Sequence, residues 1–114
     1  MDPKQLAGTL DLLLLEVISA GPSYGYDITQ QVFSRSEGTF ELKEGSLYPA
    51  LHRLERQKLL TSFWQEHDGR RRKYYRITAA GKKSLDQRRK SWLDFARGVN
   101  GVLGALPGDA YAMG

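Results

Sequence analysis

The chemistry open to this sequence is concentrated in its cations. Between Arg70 and Lys90 lie ten of its 17 basic residues, with Asp86 as the one acid, so that window carries +9 while the rest of the +4 chain carries −5. Inside it, Arg70-Arg71-Arg72-Lys73 form an unbroken run. Four adjacent cations repel one another, and an unliganded strand gains nothing from them. Laid along phosphates or over a minor groove, they release counterions on binding. The run predicts phosphate contact by Arg70, Arg71, Arg72 and Lys73. Lys82, Lys83 and Lys90 suit a solvated helix face equally well.

A second polar group surrounds Tyr48. Leu47, Leu51 and Leu54 fall at i, i+4 and i+7, an apolar helix stripe that leaves Ser46, Tyr48, Pro49, His52, Arg53 and Arg56 on the other side. A recognition helix offers such a face to the major groove. There Arg53 has the fork that matches guanine, Ser46 and Tyr48 reach phosphate oxygens or bases, and Lys43 at the helix entry is a phosphate candidate. Tyr48 is also suited to packing against the preceding helix or the hairpin. His52 reads as a neutral polar contact, because no second ligand stands near it.

Other chemistries lack their residues. Without cysteine there is no disulfide scaffold, thiolate metal site or cysteine nucleophile. Two histidines, His52 and His67, do not make a His-rich metal site. The carboxylates are scattered and neither histidine has an evident partner, so no enzymatic activity, metal or cofactor is expected.

Those residues need elements to hold them. Leu6, Leu10, Leu13, Leu14, Val17 and Ile18 predict a helix from about Lys4 to Ala20, ended by Gly21-Pro22. Ser23 reads as the N-cap of a second helix with Tyr24, Ile28 and Val32 as its stripe, fading from Arg35 to Gly38. Phe40 to Leu42 suits a short strand. The Leu47 helix, with Ser46 as N-cap and Pro49 at its third position, runs to about Lys58. Leu60 to Glu66 and Arg70 to Thr78 flank Asp68-Gly69, a pair suited to the positive φ angles of a type I′ hairpin turn. Phe63 and Trp64 read as packing between this wing and the core. Thr78 then caps a fourth helix in which Leu85, Trp92, Val99 and Leu106 fall seven apart, with Phe95, Ala96, Val102 and Leu103 beside them.

The fold class is mainly α with a small β-hairpin: a winged helix-turn-helix (1–78), a long C-terminal dimerisation helix (79–106) and a flexible tail (107–114). The small domain has too little surface to cover the whole seam of the last helix, so a second copy is expected to cover it, making a homodimer. The N-terminus lacks a basic-then-apolar signal pattern and no apolar run approaches a membrane span, so a cytoplasmic location on the nucleoid and no membrane partner are expected.

Ser23-Tyr24-Gly25-Tyr26-Asp27-Ile28, Glu44-Gly45-Ser46-Leu47-Tyr48-Pro49-Ala50-Leu51-His52-Arg53-Leu54-Glu55 and Gly69-Arg70-Arg71-Arg72-Lys73-Tyr74-Tyr75-Arg76-Ile77-Thr78 occur in that order. Together they resemble the PadR family of bacterial transcriptional regulators, over about Leu6 to Phe95. The resemblance implies a dimer that binds palindromic double-stranded operator DNA, usually as a repressor released by a small molecule. Carried over, recognition-helix contacts fall on Lys43, Ser46, Tyr48, His52 and Arg53, wing contacts on Arg70 to Lys73, and a backbone contact on Tyr24. With one C-terminal helix the chain is similar to the short subfamily, whose last helix dimerises and helps line an effector cavity. There Trp92, with Asp94 and Phe95, is the candidate site for a small aromatic effector, and packing of the dimer core is the competing role for Trp92. The alternative function is a winged helix that contacts protein or RNA without specific duplex binding.

Overall fold

The computed structural model describes residues 3–104. Its elements follow the order α1 (Pro3–Ser19), β1 (Ser23–Tyr24), α2 (Gly25–Arg35), α3 (Glu44–Arg56), β2 (Leu60–His67), β3 (Arg70–Ile77) and α4 (Ala79–Leu103). The apolar stripes of the first three helices meet in one core. Leu14, Leu15 and Ile18 of α1, Ile28 and Val32 of α2, and Leu47, Leu51 and Leu54 of α3 are buried together, closed on the sheet side by Leu60 and Tyr75. This is a winged helix-turn-helix with a long C-terminal helix.

The hairpin turns as its sequence dictates. Asp68 (φ 52°) and Gly69 (φ 76°) both adopt left-handed geometry, and His67 pairs with Arg70 across them. Thr78 caps α4 by accepting from the Gly81 amide at 2.9 Å, while its hydroxyl donates to the Lys58 carbonyl at 2.7 Å. Gly81 is needed for space. A β-carbon there would lie 2.6 Å from Ile77 Cγ1 and would collide with the Leu59 carbonyl. The cap and the glycine together dock α4 on the turn that joins α3 to β2.

The structure corrects several expectations. Ser23 is not a helix cap: it opens β1, opposite Tyr75, and the sheet has three strands in the order β1-β3-β2. The Ser23 hydroxyl donates instead to the Asp27 carboxylate at 2.5 Å, and Tyr24 takes the N-cap position without a side-chain cap. Phe40 to Leu42 form no strand and join no edge of this sheet. The Phe40 amide donates to the Ser36 hydroxyl at 3.0 Å. Helix α3 starts at Glu44, with the Lys43 carbonyl accepting from the Leu47 amide at 2.9 Å, so Pro49 lies deeper than its expected third position. The carbonyl four residues earlier belongs to exposed Gly45, so the missing N–H leaves no buried acceptor unsatisfied. The helix closes at Arg56 with Lys58 left-handed (φ 63°) and the Leu59 amide donating to the Leu54 carbonyl.

Leu85, expected on the dimer seam, lies in the core of its own chain at 2% exposure, because α1 covers the first turns of α4. From Trp92 onward the seam is bare: Trp92, Phe95, Val99, Val102 and Leu103 are exposed, and Ala96 is half-buried. Leu106 and the tail from 107 lie outside the described residues. No helix among the described residues is long and apolar enough to cross a membrane.

Candidate nucleic-acid interface

Strand alternation splits the basic run. Arg70, Arg72, Tyr74 and Arg76 share one face of β3, and Arg71, Lys73, Tyr75 and Ile77 share the other. Buried Tyr75 marks the second face as the one turned toward the helices. The wing therefore presents two pairs of cations, one on each side, rather than one block of four.

Aromatic rings hold Arg71, Arg72 and Lys73 in place. On the outer face the Arg72 guanidinium lies 4.4 Å from the centre of the Tyr24 ring, and Tyr24 meets Tyr74 edge-on at 5.3 Å. Tyr74 stacks on its cross-strand partner Phe63 at 5.6 Å, and Arg76 covers Phe63 at 4.7 Å. On the inner face Arg71 lies 5.2 Å over Trp64. Lys73 reaches toward α3, with its ammonium 3.7 Å from the Glu55 carboxylate. Stacking on a ring fixes a guanidinium while leaving its N–H edge open to a phosphate. Phe63 packs within this ladder. Trp64, expected as core packing, is 58% exposed.

The hairpin, the start of α2 and the outer side of α3 enclose a groove of about 710 Å³. From β1 it receives Tyr24 and from α3 Tyr48 and His52; from the wing it receives Arg70, Arg71, Arg72 and Lys73. Seven of the ten residues singled out in the sequence thus converge. Tyr26 and Trp64 line it too, in addition to the residues expected there. Trp64 arrives by its cross-strand pairing with Lys73 and Tyr26 as the second residue of α2, and neither has a basic residue beside it in the sequence to mark it. Burial, with Glu55 and Tyr48 nearby, pushes the Tyr75 phenol above its ordinary range, so this groove residue stays neutral.

Three expected contacts lie elsewhere. Ser46 and Lys43 are exposed outside the groove, and Lys43 sits 2.9 Å from Glu41 in an exposed pair. Arg53 turns to α1, where its guanidinium meets the Asp11 carboxylate at 2.5 Å. A bidentate guanine contact by Arg53 requires that pair to open.

A second groove, of about 610 Å³, runs between α1 and α4. Leu12, Arg88, Trp92 and Phe95 line it, and the Trp92 and Phe95 rings are 5.8 Å apart. Asp94, grouped with them in the sequence, is not part of its wall and pairs with Arg97 at 3.9 Å. Arg89 and Arg88, both in the basic window, serve α1: Arg89 pairs with Glu16, and Arg88 lies 3.7 Å from Asp11. Lys82, Lys83 and Lys90 are exposed and form no ion pair among the described residues.

Residues 14–87 match the transcriptional regulator PadR-like family. A transcriptional regulator of Mycobacterium tuberculosis is 40% identical over 78 residues, covering 68% of this chain and 70% of its own. A protein of Lysinibacillus sphaericus is 37% identical over 90 residues, covering 78% and 83%. Among solved structures, a Streptococcus mutans protein superposes with TM-score 0.78 at 38% identity, covering 86% of this chain and 89% of its own. A PadR family transcription regulator from Clostridium difficile does so with TM-score 0.73 at 35% identity, covering 82% and 97%. With the family match spanning the wing and all of α2 and α3, the chain belongs to the PadR-like family of transcriptional regulators.

Proposed function

We propose that this chain binds operator DNA as a homodimeric repressor, and that a small aromatic molecule releases it. The observation that carries the reading is the groove in which Tyr48 and His52 of α3 face the ring-stacked cations of the wing. Helix α3 enters the major groove with Tyr48 and His52 toward base edges, and Ser46 and Lys43 contact the flanking phosphates. Arg70, Arg71, Arg72 and Lys73 lie over the adjoining backbone and minor groove, with Tyr24 gripping a phosphate at the start of α2.

The exposed ridge of Trp92, Phe95, Val99, Val102 and Leu103 supports dimerisation through α4. A contiguous apolar ridge on a helix end is the surface that a second copy buries. The groove beside Trp92 and Phe95 is the effector site in this reading, with ring stacking as its main contact. An occupant acts by favouring a dimer geometry whose α3 helices no longer match successive major grooves. The work is done by binding rather than by catalysis, in the cytoplasm on the nucleoid.

Selection of a duplex from a random pool, followed by gel-shift titration across salt, tests this. The selected site should be an inverted repeat, bound far more tightly than its scrambled version, with log K falling steeply against log salt. Equal affinity for both duplexes, or a preference for RNA of matched length, defeats it.

A further inference from the structure

Asp11 sits in the middle of α1, 6% exposed, and holds cations from two other helices on its two oxygens. Oδ1 accepts from the Arg53 guanidinium of α3 at 2.5 Å, and Oδ2 lies 3.7 Å from the Arg88 guanidinium of α4. Among the described residues Asp11 is the one side chain that forms ion pairs with both α3 and α4. The two arginines belong to different sites. Arg53 follows His52, which lines the basic groove, and Arg88 lies on the wall of the α1–α4 groove one helical turn before Trp92.

We infer that Asp11 is a positioning residue for DNA recognition, through which the α1–α4 groove and the recognition helix act on each other. The inference rests on the DNA-binding reading above. Two guanidiniums on one carboxylate repel each other, so drawing one away strengthens the net hold on the other. Arg88 is the looser partner: its Nε also donates to Ser84 Oγ at 3.0 Å, and its contact with Asp11 is an ion pair without a close hydrogen bond. An occupant of the α1–α4 groove that engages Arg88 leaves Arg53 with the whole carboxylate, held against α1. A duplex that draws Arg53 outward frees Asp11 to take Arg88. Coupling of this kind is reciprocal, so duplex binding must be felt at Trp92. Nearby, Glu16 accepts from Arg89 and keeps α4 attached to α1 while the Asp11 contacts change.

The test uses the full chain with 5-fluorotryptophan at its two tryptophans, Trp64 in the basic groove and Trp92 in the other. Their fluorine resonances are followed on titration with the selected duplex. Both should shift in the wild-type chain. In Asp11→Asn and in Arg88→Gln the Trp64 shift should persist while the Trp92 shift falls at least threefold. Asp11→Asn should also bind the selected duplex about tenfold more tightly with no change in salt slope, since Arg53 no longer has to leave a carboxylate and no phosphate contact is removed. Arg88 is partly exposed, so Arg88→Gln decides the matter if Asp11→Asn does not fold. A Trp92 shift undiminished in Arg88→Gln, or movement of Trp64 alone in the wild type, overturns the coupling and leaves DNA binding standing. If neither resonance moves with any duplex, the DNA-binding reading fails and the coupling with it.

Discussion

The ring of Tyr48 on α3 lies against the backbone of Gly25 at the start of α2, so closely that a β-carbon on Gly25 would fall 2.9 Å from Tyr48 Cζ. Gly25 has no positive φ, so the position demands glycine for space alone. Through this contact the two helices that form the wall of the basic groove fix each other. Gly25→Ala should lower stability by about 1–3 kcal/mol, as overpacking does, and weaken duplex binding as Tyr48 is displaced. In a Tyr48→Ala background the same change should cost less than a third as much. Urea unfolding of the four chains checks this, and equal costs in both backgrounds would refute it.

Arg71 and Arg53 should separate when each is truncated. Arg71 stacks on exposed Trp64 and has no ion pair among the described residues, so Arg71→Ala should weaken all duplexes alike and reduce the salt slope by about one. Its fold should be unaffected. Arg53→Ala removes the closer partner of buried Asp11 and should cost stability, by about 1.5–3 kcal/mol, the range of a hydrogen bond to a charged group. Thermal unfolding beside gel shifts distinguishes the pair. An Arg53→Ala chain as stable as wild type would mean that Asp11 does not depend on it.

Stability should carry a small acid-sensitive increment from Glu16. The Arg89 hydrogen bond, reinforced by Ser19, holds the Glu16 carboxyl below its ordinary range despite some desolvation. A carboxyl with a depressed folded-state pKa stabilises above its unfolded value and loses that contribution as pH falls through the folded one. Both partners are partly exposed, so the increment should stay below ~1 kcal/mol. Urea midpoints from pH ~6 down to pH ~3 should fall more steeply for wild type than for Glu16→Gln. Parallel curves would exclude the pair as a source of stability.

The bare ridge of α4 should set the oligomeric state. Val102 is 90% exposed within the chain and Val99 is 40% exposed, so charges there leave the core intact. Val99→Glu with Val102→Glu should halve the mass seen by sedimentation equilibrium and abolish the dependence of melting temperature on concentration. Far-UV circular dichroism should show the remaining elements preserved. An unchanged mass would remove α4 as the dimer contact.

The helix stripes, the hairpin turn and the Thr78 cap are legible in the sequence because each depends on residues within about one turn of one another. Asp68-Gly69 demands its geometry locally, and Thr78 reaches Gly81 three residues on. Ser23 departs from its expected role for the converse reason. Its short polar side chain suits a cap, but a β3 edge more than fifty residues away recruits its backbone, and a local pattern carries no trace of that edge. Leu85 shares a seven-residue spacing with Trp92 and Val99. Spacing marks a face without saying what covers it, and α1 covers only the first part of that face.

The same division holds for the site. The sequence by itself determined that the charge is gathered on the hairpin and the start of α4, that α3 has a polar outer side, and which family the motifs resemble, because residue type and order suffice for each. Tertiary structure decided which cations remain available. Arg88 and Arg89, within the basic window, are taken by acids of α1, and Arg53 is turned from the groove by Asp11, 42 residues earlier in the chain. Ion pairs form between side chains that packing brings within a few ångströms, whatever their separation in sequence, so the basic face and its shared carboxylate emerge only when the helices pack.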